Sequence, residues 1–109
     1  MNREGFWRQY ERRNDKDDYA RYPWPMATDI AWLGKREFLI ALRALEQTAM
    51  KIRYKGHSSC RICGKSNGSV EHKANGWLWP EGYIHYVEEH NVRPSLAFQE
   101  MVLVREVDK

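Results

Sequence analysis

Every cysteine and histidine of the chain falls within residues 57–90: Cys60 and Cys63 in Ser59-Cys60-Arg61-Ile62-Cys63-Gly64, and His57, His72, His85 and His90 around them. These are the side chains that bind zinc. Two residues between the thiolates let one tight turn present both sulfurs to a single ion, and the glycine that follows lets the backbone fold beneath it with amides aimed at sulfur. A C-x2-C pair without a βαβ pattern points to a metal clamp rather than a redox dithiol or two inert small side chains. Zinc is therefore the expected cofactor.

Four-coordination leaves two ligand sets open. Cys60, Cys63, His85 and His90 would join a knuckle to a helix, with a histidine spacing inside the 3 to 5 residues that zinc fingers use. Five residues turn an ideal helix by about 500°, so these two rings converge only if the last turn loosens. Asn91 and Pro94 make that loosening feasible. The second set, His57, Cys60, Cys63 and His72, would be a compact loop. The first is favoured because it closes the longer loop and so supplies more of what a small core lacks.

The elements that must hold these ligands are legible in outline. Phe6, Trp7 and Tyr10 share one face of a short N-terminal helix, which Tyr22-Pro23-Trp24-Pro25 would end. Thr28 caps a turn over Asp29–Leu33, and Gly34 breaks it. From Lys35 to about Arg53, Phe38, Leu42, Leu45, Ala49 and Ile52 recur at helical spacing and predict a long amphipathic helix. Two heptads are too short to specify a self-association seam, so no oligomeric state follows. Ile52–Lys55 run into a short strand, Asn67-Gly68 and Asn75-Gly76 mark turns, and Ser69–His72 with Trp77–Trp79 form the arms of a hairpin. Pro80 and Glu81 open a helix to His90. Ser95 caps a last helix in which Phe98, Met101, Val102 and Arg105 share a side. The expected fold is a single α+β domain over residues 1–109. Its mainly helical, aromatic and basic half is 1–55 and its zinc-stabilised half is 56–109, the latter packed on the long helix.

The order of knuckle, hairpin and helix is similar to a treble-clef zinc finger. The segment CRICGKSNGSVEHKANGWLWPEGYIHYVEEHNVRP also resembles a block found in short bacterial and phage proteins, in which a knuckle leads to Trp-Pro-x-Gly-Tyr-x-His-Tyr-Val-x-x-His. That likeness covers residues 60 to about 98. It implies Cys60, Cys63, His85 and His90 as ligands and implies no activity. The same order resembles HNH-type endonucleases, with Glu71-His72 near their Asp-His pair. His72 would then be the general base and the weak catalytic candidate, with His85 or His90 on a catalytic metal. Such proteins carry a second C-x2-C for the structural zinc, and this chain has none.

With 109 residues and a net charge of +3, the chain excludes a two-domain cofactor enzyme and a disulfide-rich scaffold. No apolar run reaches a spanning length and the first residues lack a signal-peptide core, so a cytoplasmic protein without membrane contact is expected. The charge is uneven: Lys35 to Lys65 hold eight basic residues and two acidic ones. Arg36, Arg43, Lys51, Arg53 and Lys55, with Trp77 and Trp79 as stacking rings, are the candidates for nucleic-acid binding. A protein partner ranks first, because Trp7, Trp24, Trp32, Trp77, Trp79, Tyr83 and Tyr86 exceed what so small a core needs, and such rings concentrate at interfaces. The leading expectation is a non-catalytic zinc-binding interaction module, an accessory or inhibitor protein of phage or bacterial type.

Overall fold

A computed structural model describes residues 1–104. Its elements run β1 (Asn2–Arg3), α1 (Lys35–Thr48), β2 (Met50–Ser59), β3 (Ser66–Ala74), β4 (Trp77–Pro80), α2 (Tyr83–His90) and α3 (Leu96–Leu103). The strands form one mixed sheet in the order β1-β4-β3-β2, with β1 parallel to β4 and the other pairs antiparallel. The fold is a small α+β domain in which β2 crosses the boundary between the two halves of the sequence.

The β3–β4 hairpin forms where its sequence signal lies. Asn75 and Gly76 have φ of 53° and 81°, the two positive angles that a type I′ turn needs, and Ala74 pairs directly with Trp77. Asn67-Gly68, expected as a second turn, instead lies inside β3. The register with β2 shifts there, and the Glu81 carboxylate accepts the Ser69 and Val70 amides at 3.0 Å each. A side chain that takes two strand amides turns a turn signal into an irregularity of the ladder.

Two helical expectations are corrected. No helix lies within residues 4–34. Asp17 gathers that segment by accepting the Gln9, Tyr10 and Tyr19 amides, and the Arg8 amide donates to the Pro23 carbonyl. The α1 helix stops at Thr48 rather than near Arg53. Ala49 turns to extended geometry at ψ 149°, and Lys51 Nζ donates to the Glu46 and Ala49 carbonyls at 2.7 and 3.4 Å. Met50–Arg53 pair with Val70–Lys73, and this pairing outcompetes a helical stripe that only Ala49 and Ile52 would have extended.

Phe38, Leu39 and Leu42 of α1 meet Trp79 of β4, Tyr83 and Val87 of α2, and Phe98 and Val102 of α3 in one core, closed by Trp32. Phe98 is its centre: the rings of Phe38, Trp77, Trp79 and Tyr83 all meet it edge-on at centroid distances of 5.2–6.1 Å. The α3 cap forms as expected, Ser95 Oγ accepting the Phe98 amide at 3.2 Å. Arg105, expected on the same side of that helix, lies outside the described residues. Among the described residues no helix is long and apolar enough to cross a membrane.

Candidate metal centre

The knuckle is a tight loop. The Cys60 amide donates to the Lys65 carbonyl at 2.8 Å, the Gly64 amide to the Cys60 carbonyl at 2.9 Å, and the Ile62 amide reaches the Cys60 sulfur at 3.4 Å. Gly64 sits at φ 78°, where a Cβ would be strained, so the glycine predicted to let the chain fold under the sulfurs does so. Below it, Tyr86 accepts the Arg61 amide through its hydroxyl at 2.7 Å. Burial pushes the Tyr86 phenol up to about 12, so it stays neutral beside the thiols.

The α2 helix brings the two histidines together because its last turn is wide. The amides of Asn91 and Val92 both reach back to the Tyr86 carbonyl, further than the four residues of an α-helical bond, and Asn91 closes the helix in the left-handed region at φ 54°. The rings of His85 and His90 consequently stand 5.0 Å apart at 81°. Asn91 is held there by its side chain, which donates to the Thr28 and Ile30 carbonyls at 2.8 and 3.0 Å and accepts from Lys35 Nζ at 2.9 Å.

Cys60, Cys63, His85 and His90 form one group whose ligand atoms all lie within 4.8 Å of one another. Cys63 Sγ and His85 Nε2 are already 3.3 Å apart. Zinc bonds of about 2.3 Å to sulfur and 2.0–2.1 Å to nitrogen imply tetrahedral edges of roughly 3.3–3.8 Å, so a small contraction closes the group on an ion. His90 Nε2 is buried with no hydrogen-bond partner, an orphan a metal would satisfy. Burial, with His85 next, holds His90 below the ordinary histidine value, which keeps the ring in its neutral, ligating form. These residues can hold a metal ion.

His57 and His72 stand outside this group. His57 is exposed on β2, and His72 is 6% exposed on β3, stacked on Trp79 at 5.6 Å with Nε2 3.8 Å from Glu46 Oε2. A general base needs access to water and substrate, and His72 is walled in by the core. The basic candidates are dispersed. Arg43 pairs with Glu88 at 2.6 Å, Lys51 caps α1, and Arg61 Nε and Nη atoms hold the Arg8, Trp7 and Ser59 carbonyls. Arg36, Arg53 and Lys55 remain exposed. Trp77 and Trp79 point inward rather than offering stacking faces: Trp79 is fully buried with its Nε1–H on Glu46 at 2.9 Å, and Trp77 rests on Phe98.

Sequence reasoning missed the residues that brace the centre. Arg61 clamps the N-terminal segment onto the knuckle, and Glu4 accepts the Tyr83 hydroxyl at 2.9 Å and the Ser95 amide at 2.8 Å. Neither contact has a local signal, since partners 79 and 91 residues apart meet only in the folded chain. Comparisons of the chain with protein-family models, with curated proteins and with solved structures find no match.

Proposed function

We propose that this protein is a zinc-stabilised, treble-clef-like binding module without catalytic activity, and that its partner is another protein. The observation that carries the reading is the closed Cys2His2 group, with its orphaned His90 Nε2. Thiolate and imidazole donors suit zinc, and four protein ligands leave no open position for water or substrate. The ion is then structural, tying the knuckle to α2. The burial of His72 argues in the same direction.

A protein partner is supported by apolar side chains left in water: Leu33 is 99% exposed, and Met26, Ile30 and Leu96 are 70% or more. This replaces the argument from aromatic rings, because Trp32, Trp79, Tyr83 and Tyr86 are spent on the interior. An accessory or inhibitory role of phage or bacterial type is part of the same proposal. Native mass spectrometry with metal analysis tests the zinc. A single ion per chain is expected, lost in Cys63→Ser and His90→Ala and kept in His57→Ala and His72→Ala. Retention of zinc in His90→Ala, or its loss in His57→Ala, overturns the ligand set. Plasmid DNA with Mg²⁺ or Mn²⁺ is expected to stay intact, and cutting abolished by His72→Ala overturns the non-catalytic reading.

A further inference from the structure

The β2 strand is the outermost strand of the sheet, and among the described residues its outer edge pairs with no other strand, although Arg61 Nη1 donates to the Ser59 carbonyl at its end. It is ten residues long, and every residue of it but Ile52 is exposed. Such an edge is a row of unpaired N–H and C=O groups, which proteins usually shorten, cover or charge. Here it is regular over Met50–Arg53, irregular from there to Ser58, and charged with one sign only. Met50–Ser59 contain no carboxylate, and Lys51, Arg53, Lys55 and His57 occupy alternate positions. Lys51 is partly committed to the end of α1. Arg53 and Lys55 have no side-chain hydrogen bond or ion pair among the described residues.

We propose that β2 is the docking edge for an extended, acidic segment of a partner protein, which adds to the sheet as a fifth strand beside β2. The proposal rests on the binding-module reading and names the surface and the partner's chemistry. A strand advances about 6.6–6.8 Å per two residues, so carboxylates at alternate positions of an added strand keep step with Lys51 and Arg53 in the regular part of β2, and Lys55 follows in the irregular stretch after Arg53. A second copy of this chain fits poorly, because β2 against β2 sets cation against cation. A nucleic-acid strand matches the charge but cannot reciprocate alternating amide donors and carbonyl acceptors, which a peptide backbone does. Main-chain bonds would supply the adhesion and the cations the choice of partner.

The test uses the zinc-loaded full chain and a short synthetic peptide of alternating Glu and Val. Its Lys/Val counterpart and a single-stranded oligothymidylate serve as controls. Binding is read by calorimetry, and its place by amide hydrogen exchange. The acidic peptide is expected to bind and to slow exchange at alternate amides of Met50–Arg53, the regular part of β2. Arg53→Glu with Lys55→Glu should weaken it by about tenfold. Arg53→Gln with Lys55→Gln, which removes these two charges without reversing them, should give a smaller loss. The Lys/Val peptide and the oligonucleotide should leave β2 exchange unchanged. The proposal is overturned by no protection in β2, by protection that survives the double reversal, by oligonucleotide binding at least as tight, or by a peptide-independent dimer in light scattering. Protection by a partner elsewhere on the chain would overturn the edge while leaving the binding-module reading intact, and zinc loss would strike that reading alone.

Discussion

His72 lies between two forces of opposite sign. The Glu46 carboxylate 3.8 Å away would favour an imidazolium, but that distance is no hydrogen bond, and Glu46 Oε2 is already taken by Trp79 Nε1–H. Burial decides: it holds His72 below its ordinary value of 6.5, with Lys51 acting the same way and Glu81 opposing. Burial likewise raises Glu46 above the usual carboxylate range. A histidine whose folded value is depressed contributes stability that is present above the unfolded value and lost as pH falls from about 6.5 toward the folded one. The urea midpoint of the wild type should therefore fall faster than that of His72→Gln between pH 7.5 and 5.5, with the metal ligands contributing alike to both. Equal slopes would mean that His72 titrates as in the unfolded chain. Phe98 gives the second prediction at this scale. Phe98→Ala should cost about 3–5 kcal/mol in denaturant unfolding, and Leu96→Ala, on the wet side of the same helix, less than about 0.5 kcal/mol. The spacing of Phe98 in its helix announced a core residue. The role of His72 was not legible, because nothing local says which face of β3 the α1 helix will cover.

At the scale of elements, the hairpin turn, the α3 start and the metal group could be read from dipeptides, a capping serine and ligand spacing. The α2 helix, in contrast, opens at Tyr83 rather than at Pro80 and Glu81, because Pro80 still pairs with Glu71 as the end of β4. What could not be read was decided by partners distant in sequence. The start of β2 carries both a fading helical stripe, Ala49 and Ile52, and a two-residue alternation of cations, and only the Val70–Lys73 ladder chooses between them. Residues 4–34 have a helical face in Phe6, Trp7 and Tyr10, but Asp17 and Arg61 take the backbone groups that a helix would have used on itself. The width of the last turn of α2 rests on Asn91. Asn91→Gly keeps the left-handed cap and loses the side-chain bonds, whereas Asn91→Ala loses both. The alanine variant should be less stable than the glycine variant by about 1 kcal/mol and should give up zinc faster to a colorimetric chelator. Equal release rates would detach the cap from the metal centre.

For the whole molecule, a bound ion would join parts that otherwise touch lightly. It would fix the knuckle to α2, while α2 shares Val87 and Tyr83 with the main core and Arg61 holds the Trp7 and Arg8 carbonyls. Structural zinc sites contribute roughly 10–16 kcal/mol of apparent binding free energy, as much as the whole stability of a typical domain. Chelation should thus lower the melting temperature and speed amide exchange in Cys60–Lys65 and, through Arg61, at Gln9 and Tyr19 as well. Exchange confined to the knuckle would show that the N-terminal segment is held without it. The four candidate ligands are also unequal in their access to solvent, with His85 and His90 half-buried. Cys60 is 3% exposed and closed in by Tyr86 and Val92, whereas Cys63 is open. Of the two sulfurs, Cys63 is therefore the one that electrophiles and oxidants meet first. Were an ion held there, its exchange would begin most readily at Cys63, so the lifetime of such a complex would depend on that solvent-facing thiolate more than on the buried Cys60.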